Sequence, residues 1–403
     1  MLKPHNIAEV KFEAVKEIGQ EGRNSTAYIV QDLQLDAQIV MKRIEKKSIA
    51  SADEYFQEAR TLYASSHQNV VPVIYACEDA EHVFIALPFF KNGSLKALMQ
   101  ERNLTVREIV RTSCQLLSGI HNIHSKGLIH FDIKPDNVLL SDRGEALLSD
   151  FGLAKQMHLG QAEQSRLYLP ITAPEVVNGG GPYDLRFDIY QFGLVLYRMC
   201  CGEGCLRDQL GQLDPKNFLP HLAKVLADGT YPDKSTFPEH IPDRLRKVIV
   251  KCLSTDPNDR YGSALEVANA LADVEDCLDW TYVVEAGERS WVRQEGETEK
   301  RFRIAGDGST EFTATKNGTT RRKKSALQGL HDNSWNKKSI EGRRMKVVKN
   351  NPKTYRRRET AAPKSHKVIS DAQKKKALSD FTNARISNGL YIELRPNLPS
   401  SKR

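Results

Sequence analysis

Four polar residues between positions 132 and 150 have the types and the spacing that phosphoryl transfer requires. Asp132, Lys134 and Asn137 lie close together in the sequence HFDIKPDN, and Asp150 follows two short apolar runs. An aspartate can orient an attacking hydroxyl and accept its proton, and a lysine two residues later can neutralise charge on the phosphate. Amide and carboxylate oxygens are ligands that Mg²⁺ prefers. We therefore interpret these residues as one edge of a pocket for a phosphate and a metal ion.

A short β-hairpin is predicted to bring the two ends of this stretch together. Apolar runs at residues 138–140 and 146–148 flank a turn at residues 142–144, where the sequence is Asp-Arg-Gly. An antiparallel pair returns the chain to its starting point, so Asp150 is expected near Asn137. The alternative is a polar hairpin whose carboxylates are solvated and have no catalytic role. The motifs described next argue against it.

The same stretch resembles the catalytic core of eukaryotic-type (Hanks-type) serine/threonine protein kinases. HFDIKPDN is similar to their H-R-D-L-K-P-E-N loop, and Asp-Phe-Gly at residues 150–152 matches their D-F-G motif. Ala-Pro-Glu at residues 173–175 matches A-P-E, and Arg260 matches the arginine that pairs with this glutamate. Asp188 resembles the buried aspartate that braces the catalytic loop in this family.

This resemblance covers about residues 12–278 and implies an α+β, bilobal protein-kinase fold with a β-rich N-lobe and an α-helical C-lobe. It implies that ATP and Mg²⁺ are the cofactors, that Asp132 and Lys134 are catalytic, and that Asn137 and Asp150 hold the metal. The chain is then expected to transfer the γ-phosphate of ATP to hydroxyls of protein substrates. Because the residues needed for catalysis are present, a pseudokinase is not favoured.

The resemblance also places a glycine-rich loop over the phosphates at Ile18, Gly19 and Gly22. Glycine suits this role because it lets backbone N–H groups approach a phosphate closely. The spacing departs from G-x-G-x-x-G, since Glu21 and Asn24 stand at the second and third places. An ordinary hairpin turn therefore stays open as the alternative at this position.

Further nucleotide-binding residues are implied along the predicted N-lobe. Lys42, in the sequence Ile-Val-Met-Lys, resembles the lysine that reaches the α- and β-phosphates. Glu58 lies on a predicted helix and is expected to pair with Lys42, with Glu54 as the competing partner. Leu87 stands at the gatekeeper position, and Phe89 lies in the hinge whose backbone meets adenine.

Phe131 departs from the family pattern, in which an arginine before the catalytic aspartate contacts a phosphorylated activation loop. An aromatic side chain removes the cation that would bind such a phosphate. We therefore expect activity that does not depend on this switch, although Phe131 could also simply fill an apolar slot. Ser165, Tyr168 and Thr172 supply hydroxyls for autophosphorylation, which is a hypothesis.

Two residues bear on the choice of hydroxyl that is phosphorylated. Lys134 is typical of Ser/Thr kinases, whereas Tyr168 stands where these enzymes usually carry a threonine that touches the catalytic aspartate. We weigh Lys134 more heavily and predict Ser/Thr specificity, with a dual-specificity or tyrosine kinase as the alternative. A small-molecule kinase such as an aminoglycoside phosphotransferase is disfavoured, because the A-P-E segment and Arg260 serve a protein-substrate platform.

The composition of the 403-residue chain indicates a soluble protein. It contains no run of eighteen apolar residues and no N-terminal apolar segment typical of a signal peptide. We predict a cytoplasmic location without a membrane span, or a nuclear one if the host has a nucleus. The seven cysteines are expected to be reduced. Cys200, Cys201 and Cys205 lack a second pair at zinc-finger spacing, so a metal there is not favoured.

Charge is distributed unevenly along the chain. Residues 280–403 contain 29 Lys and Arg against 13 Asp and Glu, a net charge of +16, whereas the residues before them sum to −8. Basic segments of this kind commonly contact nucleic acid or an acidic protein. Intramolecular docking on the acidic kinase domain is the third option. A nucleic-acid-binding scaffold with a subordinate kinase domain stays open as an alternative function.

The region after residue 278 is predicted to form a small β-rich module followed by a basic tail. Alternating apolar and polar residues between Gly-containing turns predict a β-meander of about four strands. Its aromatic residues are expected to form a core, although with Arg293, Arg301 and Arg303 they could instead stack on a nucleic-acid strand. A helix is expected at 364–386 in an otherwise largely flexible tail. The predicted divisions are an N-terminal extension at 1–11, a kinase domain at 12–278 (N-lobe 12–90, C-lobe 91–278), the module at 279–320 and the tail at 321–403.

Overall fold

The N-terminal lobe is an antiparallel five-stranded sheet with one helix beside it. Its strand order is β1-β2-β3-β5-β4. A small core of alternating residues fills one face, namely Val30, Ile39, Met41 and Ala86. The elements are β1 (Phe12–Gly19), β2 (Ser25–Asp32), β3 (Ala37–Glu45), α1 (Gln57–Ala64), β4 (Tyr75–Glu78) and β5 (His82–Pro88). The computed structural model describes residues 9–19, 25–49, 56–235, 237–326, 370–382, 385–387 and 391–394.

The second lobe is helical and is organised around one buried helix. Every residue of α5 from Phe187 to Cys200 is buried. Gly193 permits the close approach of α8, because a Cβ at this position would lie 2.7 Å from the Cβ of Cys252. The helices are α2 (Leu95–Glu101), α3 (Val106–Ser125), α4 (Glu175–Asn178), α5 (Arg186–Cys201), α6 (Cys205–Gly211), α7 (Phe218–Ala227), α8 (Asp243–Cys252) and α9 (Ala264–Ala272).

Short strands connect the helices of this lobe and include the predicted hairpin. Strands β7 and β8 pair antiparallel, with Val138 opposite Leu148, so the predicted hairpin is confirmed. The long helix before them begins with a capping box, in which the Thr105 N–H donates to Glu108 Oε2 at 2.9 Å. The strands are β6 (Leu128–Ile129), β7 (Val138–Leu140), β8 (Ala146–Leu148), β9 (Lys155–Gln156) and β10 (Arg166–Tyr168).

A second antiparallel sheet follows the helical lobe and has five strands in sequence order, not the four predicted. The fifth strand contains the sequence RRKK, so the predicted boundary at residue 320 falls inside it. Sequence reasoning missed this strand because edge strands often carry charged residues, which hide the apolar alternation of a strand. The strands are β11 (Thr281–Glu285), β12 (Glu288–Glu295), β13 (Thr298–Ile304), β14 (Thr310–Lys316) and β15 (Thr319–Ala326).

The aromatic residues of this sheet form its core. Trp280, Trp291 and Phe302 are at most 2 % exposed, and the rings of Tyr282 and Trp291 are stacked with 5.1 Å between centroids. The predicted core is therefore confirmed, and these buried rings are not available to stack on bases. The arginines that interleave with them are paired with glutamates, namely Arg293 with Glu295, Arg301 with Glu299 and Arg303 with Glu288.

Specific polar contacts attach this sheet to the helical lobe. Trp291 Nε1 donates to Nδ1 of His240 at 2.9 Å. Arg107 on α3 forms an ion pair of 2.6 Å with Asp279, and its backbone N–H donates to the carbonyl of Leu278. These contacts pack the sheet against the helical lobe.

The contact between His240 and Trp291 predicts a pH-dependent stability. Burial lowers the pKa of His240 to about 4. The unfolded chain binds a proton near the ordinary histidine pKa of about 6.5 and the folded chain does not, so stability falls as the pH drops from about 6.5 towards 4. We expect a loss of about 2 kcal/mol between pH 7 and pH 5 from this residue. Urea unfolding followed by tryptophan fluorescence measures it. His240→Gln should flatten the dependence, whereas His158→Gln, at an exposed position, should retain it.

A C-terminal segment returns to the helical lobe. It contains α10 (Asp371–Thr382), β16 (Arg385–Ser387) and β17 (Tyr391–Glu393), and β17 pairs antiparallel with β10. The helix falls inside the predicted range of 364–386, of which residues 364–369 and 383–384 lie outside the described part of the chain. Residues 385–386 of that range belong to β16, so the prediction of a helix is wrong there. The two strands were not predicted. In the stretches that the structure describes, no helix has the length and apolar character needed to cross a membrane.

Candidate active site

The predicted catalytic loop assembles around the carboxylate of Asp132. Lys134 Nζ and Asn137 Nδ2 each lie 2.9 Å from Asp132 Oδ2, and the Asn137 amide also donates to the Asp132 carbonyl. All three side chains are buried. Within the described residues, Asp132 Oδ1 is buried and accepts no hydrogen bond. One oxygen of Asp132 is therefore held in place, and the other is available to accept a proton.

Helix α5 positions this loop through its backbone. Asp188 accepts from the N–H of His130 at 2.8 Å and from that of Phe131 at 2.9 Å, which is the brace implied by the sequence. Gln191 accepts from the N–H of Ile133 at 3.0 Å and donates to the Phe131 carbonyl at 2.9 Å. Gln191 was not predicted. The available signal was a polar residue in an otherwise apolar helix, since buried polar groups normally have hydrogen-bonding partners.

Phe131 fills an apolar slot beneath the loop. Its ring is fully buried and packs edge-on against Phe187 at 5.1 Å and Tyr183 at 6.0 Å. Its φ is 65°, in the left-handed region that non-glycine residues rarely adopt. The two hydrogen bonds of its backbone to α5 hold this conformation. The aromatic side chain thus supports the loop from below and presents no cation to the activation segment, residues 150–175.

The predicted pair of Lys42 and Glu58 is present, and Asp150 joins it. Lys42 Nζ lies 2.7 Å from Glu58 Oε1 and 2.7 Å from Asp150 Oδ1. Burial acts to lower the pKa of Lys42, but the two carboxylates outweigh it and raise the pKa well above the ordinary range. Burial raises the pKa of Glu58. The competing partner Glu54 lies outside the described residues.

Asp150 lies beside the catalytic loop because the hairpin returns the chain there. The N–H of the preceding residue, Ser149, donates to the Asn137 carbonyl at 2.9 Å, and its own carbonyl lies 3.1 Å from His130 Nε2. Burial opposes ionisation of Asp150, but Lys42 outweighs it and lowers the pKa of this carboxyl. Asp150 is therefore ionised near neutral pH. Its carboxylate and the Asn137 amide offer oxygen ligands next to each other in the fold.

The described residues contain no group of three or more His, Cys, Asp or Glu that could hold a metal by itself. A site with one carboxylate and one amide nevertheless suits Mg²⁺, which is commonly bound by one or two carboxylates together with substrate phosphates and waters. The donor set at Asn137 and Asp150 therefore fits a divalent ion that a nucleotide shares.

The remaining predicted nucleotide-binding residues lie on the N-lobe sheet. Gly19 is opposite Ala27 in β2, and Ala27 is opposite Lys42 in β3, so the end of β1 is in line with this lysine. Ile18 is 45 % exposed. Leu87 lies in β5 opposite Val40, and Phe89 follows directly after this strand. Gly22 lies outside the described residues, as do Glu21 and Asn24, so the glycine-rich loop stays a prediction.

Two hydroxyl residues of the activation segment contact each other near the catalytic loop. The ring of Tyr168 lies over Lys134, with 4.4 Å between the ammonium nitrogen and the ring centroid. Thr172 is buried, and its hydroxyl donates to the Tyr168 carbonyl at 3.1 Å. Of the three hydroxyls considered for autophosphorylation, Ser165 is the exposed one.

The ion pair predicted between Glu175 and Arg260 anchors the end of the activation segment. Two guanidinium nitrogens lie 2.6 and 2.9 Å from the two carboxylate oxygens. The Arg260 side chain is fully buried and also donates to the carbonyls of Ser254 and Arg186, each at 2.9 Å. This bidentate arrangement fixes α4 against the helical lobe.

This bilobal fold, with its buried aspartate loop and its Lys-Glu-Asp network, defines a protein kinase domain. The family model for the protein kinase domain matches residues 12–272. The chain therefore belongs to the protein kinase family, as the sequence motifs implied. ATP as phosphate donor and a divalent metal ion are general requirements of this family.

Curated relatives of this chain include bacterial serine/threonine kinases. The chain is 26 % identical over 300 residues to the serine/threonine-protein kinase PknD of Chlamydia trachomatis, which covers 65 % of this chain and 31 % of that protein. It is 28 % identical over 308 residues to the serine/threonine-protein kinase pkn2 of Myxococcus xanthus, covering 73 % and 36 %. It is 28 % identical over 283 residues to the DNA damage-responsive serine/threonine-protein kinase RqkA of Deinococcus radiodurans, covering 67 % and 41 %. The chain thus spans about a third of the length of the first two relatives.

Proposed function

We propose that this protein transfers the γ-phosphate of ATP to serine or threonine hydroxyls of protein substrates. The observation that carries this proposal is the catalytic loop itself. Asp132 has one oxygen held by Lys134 and Asn137 and a second, buried oxygen that accepts no hydrogen bond in the described part of the chain. A substrate hydroxyl would donate the hydrogen bond that this second oxygen lacks.

The proposed roles follow from the charges that each side chain presents. Asp132 orients the hydroxyl and accepts its proton as the phosphorus–oxygen bond forms. Lys134 stabilises the charge on the transferred phosphate. Lys42, held by Glu58 and Asp150, binds the non-transferred phosphates. Preorganised charges of this kind need no rearrangement during the reaction, which is how they lower its barrier.

We further propose that the metal ion is Mg²⁺ and that Asn137 and Asp150 hold it. When bound, such an ion neutralises phosphate charge and aligns the γ-phosphate with the attacking oxygen. Ile18, Gly19 and Gly22 are proposed to cover the phosphates. Leu87 and Phe89 are proposed to line the adenine site. The roles of these nucleotide-binding residues rest on the family resemblance.

The direct test is incubation of the purified protein with radiolabelled ATP, Mg²⁺ and dephosphorylated casein, followed by phosphoamino-acid analysis. Phosphoserine and phosphothreonine support the proposal. Phosphotyrosine would instead support the dual-specificity or tyrosine-kinase alternative. Label on the protein itself tests the proposed autophosphorylation, and label on neither protein contradicts the assignment.

Lys42→Ala is expected to lower the rate of phosphate transfer by at least about 10²-fold, because removal of one preorganised charge typically costs this much. The variant also leaves Glu58 and Asp150 facing each other without the cation that separates them. Initial rates at saturating ATP measure the effect. Lys47→Ala, at an exposed position of the same lobe, is the control and should match the wild type. Equal rates for both variants would remove Lys42 from the mechanism.

A role for the basic region in recruiting nucleic acid or an acidic protein remains a second proposal, supported by its net charge. Residues 280–403 carry +16. Binding through phosphate contacts would weaken steeply with salt. A mobility-shift series with the full chain at increasing salt measures that slope, and a flat series argues against phosphate contacts. A cytoplasmic location also stays a prediction.

A further inference from the structure

The C-terminal segment adds a strand to the activation segment. β17 pairs antiparallel with β10, with Glu393 opposite Arg166 and Ile392 opposite Leu167. The N–H of Leu394 extends this ladder by donating to the carbonyl of Ser165 at 2.6 Å. β17 is the strand partner of β10 within the described stretches. We name residues 370–382 and 391–394 the docked segment.

Buried apolar side chains anchor the docked segment to the kinase domain. Phe381 and Ile392 are fully buried, and Ala377 is 7 % exposed. Phe381 and Ile392 belong to the same large apolar core as α5. Helix α10 packs against α4 and α7, close to Gly180, where an added Cβ would lie 3.6 Å from Ala377. The buried anchors of the docked segment are thus apolar side chains, and β17 adds backbone hydrogen bonds to β10.

The strand that the docked segment covers leads directly to the catalytic residues. Tyr168 is the last residue of β10, and its ring lies over the ammonium of Lys134 at 4.4 Å. Lys134 in turn contacts Asp132, whose carboxylate is buried. Two side-chain contacts, Tyr168 with Lys134 and Lys134 with Asp132, therefore connect the strand that β17 pairs with to the proposed catalytic base.

We propose that the docked segment occupies the edge of β10 on which an extended protein substrate binds, and so competes with the substrate. Extended peptides commonly bind by adding a strand to an exposed sheet edge, where backbone hydrogen bonds give affinity and pockets read alternate side chains. β17 makes this kind of contact, and its Ile392 side chain is fully buried. The inference rests on the proposed kinase function. It adds an intramolecular inhibitor and identifies β10 as the substrate-binding strand.

The opposite interpretation is a brace that the active state needs. The contacts that assemble the active site argue against it, because Lys42 is held by Glu58 and Asp150, and none of these three belongs to the docked segment. The activation segment also has its own anchors. Arg260 pairs with Glu175 at its end, and Gln164 donates to the carbonyl of Leu153 within it.

The test uses two variants of the full chain. One places a negative charge on the buried face of α10, and the other places it on the exposed face. Phe381→Asp puts a carboxylate at a fully buried position of the contact, whereas the matched control Leu378→Asp puts it at a 42 % exposed position of the same helix. We expect Phe381→Asp to lower the apparent KM for dephosphorylated casein roughly tenfold, within the range typical of coupling between two sites, with the KM for ATP unchanged. Leu378→Asp should match the wild type. A loss of activity in Phe381→Asp but not in Leu378→Asp would favour the brace and overturn the proposal. An unchanged KM for casein in Phe381→Asp would also overturn the proposal.

Two further measurements separate this inference from the kinase assignment. Hydrogen exchange of residues 165–168 does not depend on catalysis, and it should be slow in the wild type and faster in Phe381→Asp. Equal exchange rates would overturn the docking. A synthetic peptide of residues 370–394 should inhibit Phe381→Asp competitively with casein and not with ATP, and the absence of such competition would also overturn the proposal. If docking is observed but no variant transfers phosphate, the function has failed, and the proposed competition fails with it.

Discussion

Asp132→Asn should lower kcat for phosphate transfer to casein by about 10²–10⁴-fold, the usual contribution of a positioned general base. The substitution preserves the shape of the side chain. It removes the charge that Lys134 contacts at 2.9 Å and the oxygen that is proposed to accept the hydroxyl proton. Asp132 is proposed to contact the substrate hydroxyl and not ATP itself, so the KM for ATP should change little. Steady-state kinetics with each substrate varied in turn measures both constants.

The pH dependence of the same reaction provides a second readout. Burial raises the pKa of Asp132 above its usual value, although Lys134 opposes this shift. The base acts in its deprotonated form, so kcat/KM should fall as the pH is lowered through this raised pKa, earlier than for an ordinary aspartate. Asp142→Asn, in the exposed turn of the hairpin, is the matched control and should retain both rate and profile. Substantial activity in Asp132→Asn would mean that another group accepts the proton.

Arg260→Met should destabilise the kinase domain by about 3–5 kcal/mol, the cost typical of removing one partner from a buried ion pair. The guanidinium is fully buried and donates to both oxygens of Glu175 and to three backbone carbonyls. Methionine fills much of the volume but leaves these acceptors without donors. Urea unfolding monitored by circular dichroism gives the change in the free energy of unfolding.

The double variant Arg260→Met with Glu175→Met distinguishes a charge effect from a packing effect. Replacing both members of a buried pair with apolar residues is often close to neutral, so the double variant should recover part of the loss. The exposed pair of Arg301 and Glu299 supplies the comparison, because Arg301→Met should cost only about 0–1 kcal/mol. A loss that the double variant does not recover would assign the effect to packing or to the backbone carbonyls.

The catalytic loop and hairpin could be predicted because their residues lie close together in the sequence. The spacing from Asp132 to Asn137 and the turn before Ala146 determine their contacts locally. The pairing of Glu58 with Lys42 could be predicted from the face of the predicted helix on which Glu58 lies. Gln191 could not be identified in this way, since its role depends on the position of a helix that arrives some fifty residues after the loop it holds.

The C-terminal contacts illustrate the same limit at a longer range. Ile392 and Phe381 stand in a stretch of mostly polar and basic residues, where single apolar residues normally carry little weight. Their burial depends on a surface formed by β10, α4 and α7, which no local pattern reveals. The net charge of the region predicted its partners only by charge, and it did not predict the apolar and backbone contacts that this segment makes with the helical lobe.

Phe131 also limits how this kinase can evolve. An arginine at this position would have to be buried among Tyr183 and Phe187, where an unpaired cation is very unfavourable. Phe131→Arg alone is therefore expected to destabilise the catalytic loop. An arginine at this position requires compensating changes in the surrounding aromatic residues.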